Sequence, residues 1–413
     1  MARLSIANGI DQAKLTRLAD GLIVAAAVSL PWSTSATSIL VVLWLCALIP
    51  TVRWADIRHE LMAPVGGLPV LLVAIGLAGM LWADAPLVER WKGFESFLKL
   101  LVIPLLFVQY RRSDHSEWVF GGYLTSCSVL LLVSTIAQFF HPFLLTLPPP
   151  QNAVLVKNAP TQSGEFVTCI FGLLFLANET FASRRWLWTF GFVALAFAML
   201  ANMLYVATGR TALVVFLALF ILFAIKKLSG KSMVFVFVGA ILIGVFGWAS
   251  SPYLRDRTTQ IWTDFKTYEA TDERNSSGER IEFWKKSIEF IRQSPVIGNG
   301  TGSIHSLFEK AAAGHTGTAG VAAANPHNQT LAVAIQLGLV GAVVLWAMWI
   351  AHLLLFRGND LVAWIGLVIV VQNVIGSLFN SHLFDFGQGW TYVIGVGVAG
   401  GIVLQRSAAQ SYE

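Results

Sequence analysis

"LAVAIQLGLVGAVVLWAMWIAHLLL", residues 331–355, runs for 25 residues without an acid, a lysine or an arginine. As an α-helix rising about 1.5 Å per residue it outreaches a hydrocarbon core roughly 30 Å thick, so its reading as a membrane span decides the class of the fold. Comparable stretches recur along the whole chain. Twelve candidate spans are expected, at about 19–35, 36–51, 64–83, 93–110, 118–140, 164–181, 186–206, 210–226, 232–250, 327–355, 360–380 and 387–405. The composition agrees, with 56% hydrophobic and 12% charged residues and a mean hydropathy of +0.67. A soluble domain carries about 25% charged residues. A β-barrel is disfavoured, because its strands alternate apolar and polar residues instead of running continuously apolar. The expected fold class is all-α, a polytopic membrane protein with about 12 transmembrane helices.

Lysine and arginine set the orientation. With the N-terminus in the cytoplasm, the cytoplasmic connections and ends carry fourteen of them, among them Arg111, Arg112, Lys226, Lys227 and Arg406. The short loops on the other side carry four: Arg90, Lys92, Lys157 and Arg210. This is the positive-inside asymmetry, so both termini are expected in the cytoplasm, and the net charge of +5 records topology, not nucleic-acid binding. The polar start MARLSIANGIDQAKLTRLAD lacks a small-x-small cleavage site, so the first span is expected to stay in the protein. Cys46, Cys127 and Cys169 all lie in apolar runs, with neither metal spacing nor a disulfide framework.

Three regions follow: spans 1–9 over residues 1–250, an outer loop domain over 251–326, and spans 10–12 with the C-terminus over 327–413. The loop balances nine basic against nine acidic residues, and loops of that length usually carry function. Within it, SSGERIEFWKKSIEFIRQSP reads as an amphipathic helix with Ile281, Trp284, Ile288 and Ile291 on its apolar face. The GNGTGS that follows, residues 298–303, reads as a turn. In the fourth span, Glu95 and Lys99 stand one helical turn apart and could pair.

Three cationic or titratable residues are expected at three helix starts on the outer side. Arg210, in ATGRTAL, opens the eighth span; Arg280 lies in the first turn of the amphipathic helix; His327 follows Asn325, a good N-cap, and Pro326, favoured at the first helical position. Helix N-termini expose unpaired N–H groups and partial positive charge, and arginine adds a planar fork of donors, so two such arginines suit a diphosphate. The same dipole keeps a histidine neutral and able to accept a proton. Taken singly, Arg210 reads as an interfacial anchor and Arg280 as a solvated helix charge, while His327 reads equally as an interfacial or a functional histidine. The trio is more specific than any member. A secondary transporter is the alternative of another class, and would need ionisable residues at mid-span or Gly/Pro-broken helices in matching halves.

GRTAL at 209–213, R-x-x-x-W from Arg280 to Trp284, PVIGNGTG at 295–302 and PHNQTLAVAIQLGLVG at 326–341 together resemble the O-antigen ligase and polymerase superfamily. Gly209 stands where a Ser is usual. The resemblance implies a glycosyltransferase of the GT-C type that moves an O-antigen glycan from undecaprenyl diphosphate to the lipid A-core oligosaccharide at the periplasmic face of the bacterial inner membrane. It implies inversion at the anomeric carbon, with no metal, nucleotide or other cofactor. Arg210 and Arg280 would hold the diphosphate, and His327 would be the base. An O-antigen polymerase and a protein O-oligosaccharyltransferase would use the same donor. The outer-loop carboxylates show no DxD pair or ligand-type cluster, which agrees with metal-free chemistry.

Overall fold

A computed structural model describes residues 12–113, 115, 117–144, 154, 156–228, 230–250, 255–256, 259 and 276–410. The first part of the 251–326 loop therefore lies largely outside the described residues, as does most of 145–155. Among the described residues the protein is all-helical, without a strand.

Each apolar stretch of the sequence is helical. The helices are α1 (Gln12–Ser29), α2 (Thr34–Leu48), α4 (Pro64–Gly79), α7 (Glu117–Leu144), α8 (Ala159–Ala182), α9 (Trp186–Tyr205), α10 (Arg210–Lys227) and α11 (Gly230–Ser250). After the loop come α14 (Gln329–Leu355), α15 (Leu361–Gly376) and α16 (Phe386–Gln410). Six described helices are long and apolar enough to cross a membrane, and a seventh crossing results if the short α3 (Trp54–Met62) and α4, bent by 92°, count as one. This is a multi-pass membrane protein. Its core is one continuous cluster of buried Trp, Phe, Leu, Ile and Val side chains, including Trp44, Phe107, Phe171, Trp349, Trp364 and Tyr392.

The fourth expected span is not one helix. It divides into α5 (Leu87–Leu98), a 3-10 turn at Lys99–Leu101 and α6 (Val102–Tyr110). Pro104 has no N–H to give to Leu100, which permits the helix to restart here. Lys99 does not pair with Glu95; its Nζ donates to the carbonyls of Phe384 and Asp385, both at 3.0 Å, and pins the loop before α16.

The outer loop supplies α12 (Ser276–Gln293) and α13 (Ser303–Ala312). The buried stripe of α12 is Phe283, Ser287 and Phe290, not the expected Ile281–Trp284–Ile288–Ile291 face; Ile288 is 46% exposed. The aromatic rings decide this. Phe308 of α13, fully buried, meets Phe283 and Phe290 edge-on at 5.5 and 5.2 Å, and together with Ile304, Ala332 and Ile335 they form a second small core. Each such ring contributes roughly 1.5–3 kcal/mol on burial, enough to turn the helix about its axis.

The segment 295–302 is the tight turn expected of GNGTGS, and it braces a break in α14. Gly338 sits at φ +64°, ψ −160°, interrupting the helix ladder. The freed groups are taken up by the loop: Asn299 and Gly300 donate to Ile335 and Gln336, while Leu339 and Val340 donate to Pro295 and Val296, at 2.8–3.2 Å. A β-carbon on Gly338 would press into the carbonyl of Val296, and the left-handed φ disfavours one in any case. A broken helix inside a membrane protein survives only where protein replaces the lost hydrogen bonds, as here.

Candidate functional site

Four helix N-termini meet at one end of the bundle. Asn158 caps α8 by accepting from Thr161 N–H at 2.9 Å. The hydroxyl of Ser163 bonds the carbonyl of Ala207, and Gly209, the N-cap of α10, lies against Pro160 and Ser163. At the start of α16, Gly387 lies against Thr161. The start of α14 is tied to the loop before α16: Gln329 N–H donates to Ser377, and Gln329 Oε1 accepts from Leu383 and Phe384.

Arg210 is the first residue of α10, as expected. Arg280 is the fifth described residue of α12, half-buried. The two stand close enough to act on each other: burial and then the charge of Arg210 lower the affinity of the Arg280 guanidinium for its proton. Among the described residues neither arginine has a carboxylate or carbonyl partner. The other three cations of the short loops assigned to this side are engaged. Arg90 donates to the carbonyls of Ala85 and Met80, Lys92 pairs with Glu89 at 3.1 Å, and Lys157 with the buried Glu165 at 3.3 Å.

His327 joins them, with a corrected local geometry. It is not in the first turn of the tenth span. The helix starts at Gln329 under Asn328, whose side chain accepts from Leu331 N–H at 3.1 Å; Asn325 is not the cap. His327 lies two residues earlier at φ +53°, a left-handed conformation uncommon outside glycine and asparagine. Asn325 holds that turn, accepting from His327 N–H at 2.8 Å and from Ser381 Oγ at 2.7 Å. Phe283 stacks over the imidazole at 6.2 Å between ring centres, inclined by 22°. Burial, and next the charge of Arg280, push the His327 pKa below its ordinary value, against the hydrogen bond to Asn380 and the charge of Glu279. The main cause that disfavours the charged imidazole is thus burial, not the helix dipole expected from the sequence.

The sequence reading did not single out the residues that orient this ring. His327 Nδ1 is 2.9 Å from Asn380 Oδ1, and Asn380 Nδ2 donates to Asp385 Oδ2 at 2.8 Å. With the amide oxygen facing the ring, Nδ1 carries the proton and Nε2 keeps its lone pair. Asp385, half-buried between Lys99 and Asn380, has its carboxyl pushed up to about 6 by burial against the pull of Lys99. The signal for these partners was the polar run NSHLFD, residues 380–385, between two apolar stretches.

Similarity to known proteins falls on the same part of the chain. Residues 194–347 match the family described as O-antigen ligase. Over that segment the chain is similar to the O-antigen ligase family. The match contains Arg210, Arg280, the segment 295–302, His327 and the break in α14. An uncharacterized protein of Haemophilus influenzae Rd is 25% identical over 174 residues, which cover 41% of this chain and 44% of that protein.

Proposed function

We propose that this protein is an O-antigen ligase that transfers a glycan from undecaprenyl diphosphate to the lipid A-core oligosaccharide. The reaction takes place at the periplasmic face of the bacterial inner membrane, with both termini in the cytoplasm and twelve spans of GT-C type. One observation carries the reading: two half-buried arginines within electrostatic reach of each other, neither with a counter-ion among the described residues, and one of them, Arg280, within reach of an oriented histidine whose charged form is disfavoured.

In this scheme Arg210 and Arg280 grip the diphosphate from the ends of α10 and α12. His327 Nε2 takes the proton of the acceptor hydroxyl as its oxygen attacks the anomeric carbon. The bond from that carbon to the diphosphate oxygen breaks, and the diphosphate leaves with the electron pair, its new charge compensated by the two guanidinium groups. A single displacement inverts the anomeric configuration. The arginine pair supplies the positive charge that a divalent cation supplies in other diphosphate-leaving reactions, so transfer should proceed in a chelator.

The test is the lipopolysaccharide of a strain lacking this chain. Loss of ligated polymer with carrier-linked polymer accumulating supports the ligase. Core bearing a single repeat would assign a polymerase, and lost glycoprotein with normal lipopolysaccharide a protein O-oligosaccharyltransferase. Purified protein that transfers glycan in detergent, with no gradient, rules out transport as the primary activity.

A further inference from the structure

Beside the loop that holds His327 lies a cavity of about 420 Å³ that the scheme above leaves unused. It falls within the roughly 300–1,000 Å³ of small-molecule sites. The cavity shares Asn325, Ser381 and Asp385 with the network that orients the imidazole, and neither arginine lines it.

Helix α5 forms one wall, and its three faces have three environments. Phe94 and Phe97 are buried against the core at 5% and 0% exposure. Leu87, Val88 and Trp91, at 73%, 64% and 53%, face outward. Glu89, Lys92, Gly93 and Ser96, at helical spacing on the third face, line the cavity. An exposed apolar stripe with a tryptophan beside a charged face suits a helix lying at the membrane–water boundary. A helix lying so would place the cavity where a sugar chain attached to a lipid stands out of the bilayer.

Its lining matches a sugar ring in chemistry as well. Asn325, Ser381 and Asp385 offer donors and acceptors on one side, and His305 places on the other a buried Nδ1 that has no hydrogen-bond partner. Phe384, held edge-on by Phe97 at 4.8 Å, and Ile304 provide apolar surface for C–H faces. Polar groups around an apolar wall are the pattern of an orienting ligand pocket.

We propose that this cavity is a saccharide subsite that seats the acceptor glycolipid beside His327, opposite in role to the arginine pair that holds the donor. The assignment to the acceptor rests on the ligase reading; the affinity for a saccharide does not.

Ala324→Trp and Ser96→Trp fill the cavity from its rim and from α5. In transfer assays with purified protein they should raise the acceptor KM tenfold or more and leave the donor KM unchanged, whereas Arg280→Ala should do the reverse. Calorimetry should show saturable binding of delipidated core oligosaccharide to the wild-type protein and none to Ala324→Trp. Ser96→Ala, which removes one hydroxyl and adds no bulk, serves if a tryptophan impairs folding, and should raise the acceptor KM several-fold. Variants that melt like wild type and keep acceptor KM and oligosaccharide binding would overturn the subsite, as would a rise confined to the donor KM. Binding that Ala324→Trp abolishes, in a protein that transfers nothing, would sink the ligase reading and leave the subsite standing.

Discussion

If His327 is the base, its proton affinity is tuned in opposite senses by two neighbours, and removing each should move the pH profile in opposite directions. Below its pKa the imidazole is protonated and cannot accept the acceptor's proton, so the rate falls on the acid side as pH drops through that pKa. In the wild type this fall lies below the ordinary histidine value of 6.5, because burial and Arg280 disfavour the charged ring. Arg280→Gln removes a like charge, so the acid limb of kcat/KM should move to higher pH. Asn380→Leu removes the bond that raises the pKa, so the limb should move to lower pH. The rate at the optimum should fall as well. Losing a buried positioning hydrogen bond, with the one to Asp385, costs about 1–3 kcal/mol, or roughly 5- to 150-fold in kcat, with little change in either KM. The assay is initial-rate transfer from pH 4.5 to 8.5 with saturating and limiting acceptor. Limbs that move together, or Asn380→Leu within twofold of wild type at every pH, would refute the orienting role and the base assignment that depends on it.

Arg210→Ala and Arg280→Ala should each lose about 2.7–4 kcal/mol of transition-state stabilisation, roughly 100- to 1,000-fold in kcat, in single-turnover transfer; near-normal rates from folded protein would remove the diphosphate clamp. Phe308→Ala should cost about 3–5 kcal/mol, read as a lowered melting temperature in detergent, and should raise the donor KM because the ring joins α12 to the outer half of α14. Gly338→Ala should fail to accumulate as folded protein, since its φ is +64° and Val296 occupies the space. Gly191→Ala, whose added methyl meets nothing within 4 Å in the exposed face of α9, should be neutral or stabilise by up to about 1 kcal/mol. Full transfer activity in excess chelator is expected, and its loss with recovery on adding a divalent cation would contradict the arginine-compensated scheme.

The site end also explains how a membrane protein keeps two arginines there. Other cations there are consumed locally, Arg90 by the α4–α5 corner and Lys157 by Glu165. Arg210 and Arg280 are held near each other by backbone that other interactions fix: the α8–α10 contact at Ser163 and Ala207, and the aromatic seam of α12 and α13. Their mutual repulsion is borne by that packing, and under the proposed function the diphosphate of the donor would relieve it.

The sequence by itself determined the membrane class and the positions of the apolar helices, and it singled out Arg210, Arg280 and His327 as the candidate trio, because these follow from hydropathy, residue chemistry and spacing along one chain. It also marked 298–303 as a turn, since repeated glycine announces backbone freedom. Tertiary structure decided the rest. Which face of α12 is buried depended on Phe308 arriving from another helix; the break in α14 depended on carbonyls and amides supplied by 295–302; the cap moved from Asn325 to Asn328 because Ser381 and the His327 N–H claimed Asn325. Above all, Asn380 and Asp385 reach His327 across more than fifty residues of chain, and no local pattern records a contact that exists only once α14, α15 and α16 have packed.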